Sequence, residues 1–264
     1  MARHSVSEPD TDGVALAFDD VSAARGGRLI WSEATFEVPA GGIVAVIGSN
    51  GAGKTTLLQI VLGLLPPASG HVRVFGEPAG VLNKAIGYVP QNYASASGEA
   101  IRARDAVMLG LIGHRWGFGR PSRDDNRRVD EVLAAVDATA VAHKRLSQLS
   151  GGQRQRVALA EALVSKPRML ILDEPLASLD LRSQREIVGV LERVNTEFGV
   201  TILVVAHDLN PLLGVLTSAI YLLDGHAHFD TLDGVVDETL LSHLYGTRVQ
   251  VVHTPQGELY TRRT

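Results

Sequence analysis

One short motif constrains the fold of this chain more than any other feature. The sequence GSNGAGKT at residues 48–55 follows five apolar, mostly β-branched residues at 43–47 and precedes a stretch of helical character from about residue 54 to residue 64. It fits the pattern G-x-x-x-x-G-K-[ST], in which glycines let successive backbone N–H groups point at a phosphate group and the helix N-terminus adds partial positive charge. A strand, this loop and a helix in direct succession therefore predict a nucleoside-phosphate site.

Within that loop, Lys54 is expected to reach the β- and γ-phosphates, and the Thr55 hydroxyl is expected to ligate Mg²⁺. The candidate phosphate-binding residues are Gly48, Ser49, Asn50, Gly51, Ala52, Gly53, Lys54, Thr55 and Thr56. The alternative is a glycine-rich strand-to-helix turn with a solvated lysine, and the register of strand, loop and helix disfavours it.

A second motif carries two adjacent carboxylates. An apolar run at 169–172 ends in Asp173 and Glu174, and the carboxyl ends of parallel strands are where open α/β sheets bind their ligands. We expect Asp173 to hold Mg²⁺ and Glu174 to accept a proton from an attacking water. A strand cap with two solvated acids is the alternative, which the phosphate loop makes less favourable.

A third motif, LSGGQ at residues 149–153, opens an amphipathic helix. Ser150 as the N-cap and Gln153 three residues later form the pattern of a capping box. A helix N-terminus with two glycines beside it is equally an anion site. Both interpretations are retained, since one residue can serve as cap and as phosphate ligand.

Apolar periodicity predicts the order of the elements. Short β-type runs occupy 14–39, with turns at 25–27 and 39–42, and buried strands are expected at 43–47, 169–172 and 201–205. Residues 92–148 have helical spacing, with an exposed loop expected at 115–128, and further helices are expected at 150–165 and 183–198. A hairpin is expected at 219–229, whereas residues 240–264 have no clear assignment. The alternation of strands and helices argues for an α/β core around a largely parallel sheet.

Composition excludes several classes of protein. The chain has 264 residues and no cysteine, so disulfide scaffolds, thiolate zinc sites and cysteine nucleophiles are ruled out. Its net charge of −4 disfavours nucleic acid as a partner. No apolar run reaches the roughly eighteen residues that a membrane span needs, and residues 1–13 have the composition of a disordered tail, not of a secretory signal. We therefore expect a soluble, cytoplasmic protein.

Six motifs in a fixed order resemble the ATP-binding-cassette (ABC) ATPase family over about residues 14–230. They are GSNGAGKTT from residue 48, Gln91 after YVP, LSGGQ from 149, LILDEP from 170, SLD at 178–180, and His207. The resemblance implies an α/β fold with a P-loop NTPase core of ABC type, an antiparallel β subdomain and an inserted α-helical subdomain. The expected boundaries are a tail at 1–13, an ATP-binding core at 14–91 and 149–230, a helical subdomain at 92–148 and a C-terminal extension at 231–264.

The resemblance also implies the partners of the site. It implies ATP and Mg²⁺ as cofactors and a head-to-tail homodimer that encloses two ATP molecules. Gln91 would ligate Mg²⁺ and sense the γ-phosphate, and His207 would hold the γ-phosphate and orient Glu174. The residues implied to act on the nucleotide of the opposite chain are Ser150, Gly151, Gly152, Gln153 and Asp180.

One position departs from the family. Its members usually place an aromatic residue in the early turn, where it stacks on adenine, whereas here that position falls at about Arg25 within VSAARGG. A guanidinium plane can also stack on a base. We therefore interpret Arg25 as a candidate adenine contact, with a solvated turn residue as the alternative.

Within the family, GHRWG at 113–117 and LSHLYG at 241–246 resemble ATPase subunits that serve manganese, zinc or iron uptake. This likeness implies integral membrane permease partners, an indirect link to a substrate-binding protein, and a location on the inner face of the cell membrane through the permease. The alternatives are a cassette that serves another solute, as importer or exporter, and a non-transport cassette of translation or DNA repair. The absence of a long coiled-coil heptad run argues against a repair cassette.

Overall fold

The computed structural model describes residues 13–91, 93, 100–113, 120–253 and 259–263. The expected tail therefore lies almost wholly outside the described residues, as does most of the GHRWG segment. The strands are β1 (Val14–Arg25), β2 (Arg28–Pro39), β3 (Ile43–Gly48), β4 (Ser69–Val74), β5 (Glu77–Pro78), β6 (Ile86–Val89), β7 (Met169–Asp173), β8 (Thr201–Val205), β9 (Ser218–Leu223), β10 (His226–Thr231), β11 (Val249–His253) and β12 (Leu259–Arg263).

Ten of these strands form one mixed sheet in the order β5-β4-β1-β2-β10-β9-β3-β8-β7-β6. Strands β9, β3, β8, β7 and β6 are parallel neighbours, whereas β1, β2, β4 and β5 pair antiparallel. Apart from Asp173 and Thr201, the residues of β3, β7 and β8 are apolar or glycine, and almost all are buried, as is typical of strands covered on both faces. The α/β fold class, with a parallel core and an antiparallel part, is confirmed.

The antiparallel part is built on one long hairpin. β1 and β2 have 12 residues each and are joined by Gly26 and Gly27, which both have positive φ. Glycine adopts such angles without a steric penalty, which allows a two-residue turn. The hairpin at 219–229 is also present, as β9 and β10.

The α-helices differ from expectation mainly at their ends. They are α1 (Lys54–Val61), α2 (Ala103–Ile112), α3 (Arg123–Ala135), α4 (Gly151–Leu163), α5 (Leu181–Phe198), α6 (Leu232–Val235) and α7 (Glu238–Tyr245). The exposed loop expected at 115–128 was wrong for its last six residues, because α3 begins at Arg123. Ser122 caps that helix, with its hydroxyl accepting from Asp125 N at 3.0 Å and Asp125 accepting from Ser122 N at 2.9 Å.

Residues 240–264, which had no assignment from the sequence, pack on the core where the structure describes them. α7 buries Leu241 and Leu244, and β11 pairs with β12. The hairpin of β11 and β12 bonds to the core through Asn210. The Asn210 side chain donates to Thr261 O at 3.0 Å and accepts from Thr261 N at 2.7 Å. No helix in the described part of the chain is both long and apolar enough to cross a membrane.

Candidate active site

The loop between β3 and α1 has the conformation of a phosphate cradle. Gly51 and Gly53 have φ of 83° and 102°, angles that favour glycine. A Cβ on Gly53 would lie 2.6 Å from the Ile30 side chain and 2.9 Å from the Trp31 ring. The loop therefore lies directly against β2. Apart from Ala52 N, which donates to Ser49 O at 3.2 Å, the backbone N–H groups of the loop and of the N-terminus of α1 suit an anion.

Lys54 lies across this loop. Its ammonium donates to the carbonyl oxygens of Gly48 at 2.8 Å and Ser49 at 3.1 Å, and the residue is 8% exposed. Burial lowers the pKa of Lys54, while the charges of Glu174 and Asp173 act in the opposite direction. The loop thus holds the lysine beside both carboxylates, at the position where nucleotide phosphates are expected.

Glu174 is the centre of the polar cluster. Its Oε2 accepts from Gln91 Nε2 at 2.7 Å, and its Oε1 lies 2.5 Å from His207 Nε2. These three residues follow β6, β7 and β8, which are parallel neighbours in the sheet, and the carboxyl ends of parallel strands meet at one edge. Glu174 also has a φ of 52°, a strained angle of the kind that concentrates at functional sites.

Asp173 lies beside this cluster in a partly buried position. Burial raises its pKa, the neighbouring charge of Glu174 raises it further, and a hydrogen bond from Tyr88 acts in the opposite direction. Tyr88 is a residue that the sequence reasoning treated only as a marker before Gln91. Because Tyr88 pairs with Ile171 in the register of β6 and β7, both Tyr88 and Asp173 lie on one face, and strand alternation was the available signal.

The donor set suits a hard cation. Thr55 offers a hydroxyl and Asp173 a carboxylate, and Gln91 bonds Glu174 through Nε2, which leaves its carbonyl oxygen to act as a ligand. Burial and then the neighbouring Glu174 carboxylate raise the pKa of Asp173, and a divalent cation would relieve the repulsion between the two carboxylates. These observations fit the Mg²⁺ expected from the sequence.

The LSGGQ motif has a structural role at the start of α4. Ser150 accepts from Gln153 N at 3.3 Å and Gln153 accepts from Ser150 N at 3.1 Å, which completes the capping box. A Cβ on Gly152 would lie 3.0 Å from the Ser183 hydroxyl, and one on Gly151 would lie 3.1 Å from Leu179. The glycines therefore also allow α4 to approach the start of α5.

Asp180 is the N-cap of α5. It accepts from Ser183 N and from the Ser183 hydroxyl, both at 2.9 Å, and these bonds lower its pKa. Among the described residues, no hydrogen bond or ion pair joins residues 150–153 or Asp180 to the phosphate loop of the same chain. Arg25 lies exposed at the end of β1, opposite Arg28.

A family model described as "ABC transporter" matches residues 31–177, and a relative 33% identical aligns over nearly the whole chain. This chain belongs to the ABC transporter family. That relative is the zinc transport system ATP-binding protein TroB of Treponema pallidum (strain Nichols), aligned over 96% of this chain and 94% of its own length. The manganese transport system ATP-binding protein MntB of Bacillus subtilis (strain 168) is 37% identical over 74% of this chain and 77% of its own.

Solved ABC structures show the same fold. A metal-chelate type ABC transporter in an inward-facing conformation gives a TM-score of 0.82 at 26% identity, over 95% of this chain and 97% of that chain. A dimeric ATP-binding cassette bound to ADP and Pi gives a TM-score of 0.70 at 28% identity, over 82% of this chain and 98% of that chain. The chain is accordingly an ABC ATPase, and the polar cluster at its phosphate loop is its candidate catalytic centre.

Proposed function

We propose that this ABC ATPase powers the import of a transition-metal ion, manganese, zinc or iron, through a membrane permease. The catalytic part of the proposal rests on one observation: Glu174 is held by Gln91 and His207 beside the phosphate-loop lysine. The cargo is supported by relatives whose names specify zinc and manganese transport and by a metal-chelate type transporter of similar structure.

Each polar residue has a separate task in hydrolysis. Backbone N–H groups of residues 48–56 and the Lys54 ammonium bind the phosphates through charge-assisted hydrogen bonds. Thr55, Gln91 and Asp173 would hold Mg²⁺, which neutralises phosphate charge when bound. Glu174 takes the proton of the attacking water, and His207 keeps that carboxylate oriented and contacts the γ-phosphate.

The second half of each site comes from a second copy of the chain. Residues Ser150, Gly151, Gly152, Gln153 and Asp180 would contact the nucleotide of the opposite chain in a head-to-tail homodimer. The N-terminus of α4 supplies partial positive charge for that role, and these residues have no described bond to the phosphate loop of their own chain. This ATP-dependent dimer would bind permease subunits at the cytoplasmic face of the membrane, with a substrate-binding protein acting through the permease.

Reconstitution with the permease tests the proposal. The complex is inserted in vesicles with ATP and Mg²⁺ enclosed, and uptake of Mn²⁺, Zn²⁺ and Fe²⁺ is measured against a Glu174→Gln complex as the matched control. ATP-dependent uptake of at least one metal is expected. Relatives named for methionine and sulfate import are 32% and 34% identical, so uptake of such a solute without any metal would overturn the proposed cargo, while absence of ATP hydrolysis would overturn the catalytic assignment.

A further inference from the structure

A cavity of about 470 Å³ lies far from the polar cluster. Its walls include Arg168 and Val200, which come just before β7 and β8, whereas Asp173 and His207 lie at the other ends of these strands. Each strand has five residues, about 17 Å at roughly 3.3 Å per residue. The cavity is therefore at the opposite edge of the sheet from the ATP site.

Several parts of the chain that are distant in the sequence line this cavity. Phe75 comes from the segment after β4, α3 contributes Arg128, and Leu163 lies at the end of α4. Phe75 and Leu163 are buried, while Phe198 at the end of α5 is 55% exposed at the cavity. A volume of this size with mostly apolar walls is typical of small-molecule sites.

The charges around the cavity are unbalanced. Arg128, Lys166 and Arg168 line it, and none of them forms an ion pair among the described residues. The acid at the cavity, Glu131, lies 3.7 Å from Arg127 and is 63% exposed. The local charge is therefore positive, although the whole chain carries −4.

Two of the cations show what would complete the site. Arg128 has a buried Nε with no hydrogen-bond partner, and a buried N–H in that state destabilises the fold. The Arg168 guanidinium lies 4.0 Å above the centroid of the Phe75 ring, which presents a flat cation at the apolar wall. The Arg128 side chain lines the cavity without an ion pair among the described residues, so an anion there would pair with its guanidinium charge. An apolar body would cover the surface formed by Arg168 and Phe75.

We infer that this cavity is a binding site for a small organic anion with a flat, apolar body and one carboxylate, sulfonate or phosphate group. The anionic group contacts Arg128 and Lys166, and the apolar body packs on Phe75, Leu163 and Phe198. Because the ligand touches α3 and the starts of β7 and β8 together, its binding is linked to the position of α3 on the core.

Fluorescence titration of the nucleotide-free full chain with anilinonaphthalene sulfonate tests this site, with neutral phenylnaphthylamine as the uncharged comparison. The sulfonate is expected to bind one per chain and more tightly than the neutral compound. Arg128→Met should weaken it about tenfold or more, because a charge-assisted hydrogen bond is lost, while Arg128→Lys should retain most of the affinity. Arg123→Met, on the same helix but outside the cavity, should bind like the wild type.

The remaining arms make the result decisive. Lys166→Gln removes an exposed cation and should also lower the affinity for the sulfonate. This variant tests the site even if Arg128→Met does not fold. Saturating ATP should leave one sulfonate bound, because the sites lie at opposite edges of the sheet. Equal affinity of the sulfonate and the neutral compound, unchanged affinity in both cation variants, or complete displacement by ATP would each overturn the inference.

Discussion

At the scale of single residues, the decisive feature is how Glu174 is held. One carboxylate oxygen faces Gln91 and the other faces His207, and the backbone of Glu174 itself has a positive φ. Each carboxylate oxygen has two lone-pair directions, so both can still accept a proton from water. The surrounding residues thus orient the proposed base without using up its acceptor capacity.

Glu174→Gln should abolish catalysis while preserving binding. Glutamine keeps the size of the side chain but is not a base, so hydrolysis should fall by about 10²–10⁴-fold. ATP should still bind, and the variant should accumulate as an ATP-bound dimer, measured by light scattering with Mg²⁺. A variant that stays monomeric in saturating ATP would contradict the nucleotide-sandwich dimer.

Arg25→Ala tests the candidate adenine contact. The guanidinium is exposed at the end of β1, and stacking on a purine is worth about 0.5–2 kcal/mol. Because stacking contacts the face of the base and not its edge, the affinities for ATP and for GTP should fall by a similar few-fold factor. Arg25→Tyr should restore the affinity. The measurement is titration with fluorescent nucleotide analogues, and an unchanged affinity in Arg25→Ala would show Arg25 to be a solvated turn residue.

At the scale of elements, α2 and α4 pack closely because of a glycine. A Cβ on Gly110 would lie 2.8 Å from both the backbone oxygen and Cγ of Glu161. Gly110→Ala should therefore lower the free energy of unfolding by about 1–3 kcal/mol through overpacking. On α5, a Cβ at Gly189 would meet nothing within 4 Å. Gly189→Ala should therefore raise the free energy of unfolding by about 0.5–1 kcal/mol. Denaturant titration measures both, and equal effects would refute the close-packing argument.

Glu161 makes the stability of α4 depend on pH. Burial raises its pKa above the ordinary value of 4.5, although Tyr93 donates a hydrogen bond to Oε2 at 2.5 Å and opposes the shift. The folded chain thus binds this proton more tightly than the unfolded chain, so the contribution of Glu161 to stability falls as pH rises through that range.

Glu161→Gln is neutral at every pH and can still accept from Tyr93. The variant should melt at a higher temperature than the wild type near pH 7, and the difference should vanish as pH falls below 4.5. Glu192→Gln, on the exposed side of α5, is the control and should follow the wild-type profile. A difference that is constant across pH would rule out a titrating Glu161 as its cause.

At the scale of the whole molecule, the main question is whether two chains complete each site. Ser150→Arg should abolish turnover while leaving the ATP affinity of the monomer near the wild-type value, unlike Lys54→Ala. Equal mixing of these two inactive variants should restore about a quarter of the wild-type rate, because half of the dimers then contain one intact site of two. No recovery on mixing would argue against the composite site.

The control for Ser150→Arg is the other capping-box serine, Ser122 at the start of α3. Each substitution removes an N-cap and should cost about 1 kcal/mol of stability. The Ser122→Arg variant should keep its ATPase activity. If it lost that activity, the inactivity of the Ser150→Arg variant would be explained by the loss of a helix cap and not by a missing contact to ATP.

The sequence alone determined the strand, loop and helix around Lys54, the buried strands, the capping box at Ser150, and the family. These features depend on residues that are neighbours in the chain or repeat at a regular spacing, so periodicity and motif order reveal them. The sequence also indicated that Glu174 and His207 belong to one site, through the resemblance to ABC ATPases.

Only the tertiary structure decided which side chains touch. Three hydrogen bonds show this: Tyr88 to Asp173, Tyr93 to Glu161, and Asn210 to Thr261. They join residues that are 51 to 85 positions apart in the sequence. Alternation along a strand indicates which face a side chain lies on, but it does not say which strands become neighbours or how helices pack, and these contacts depend on both. The C-terminal hairpin and the cavity beneath α3 stayed unassigned for the same reason, since each is formed where distant segments meet.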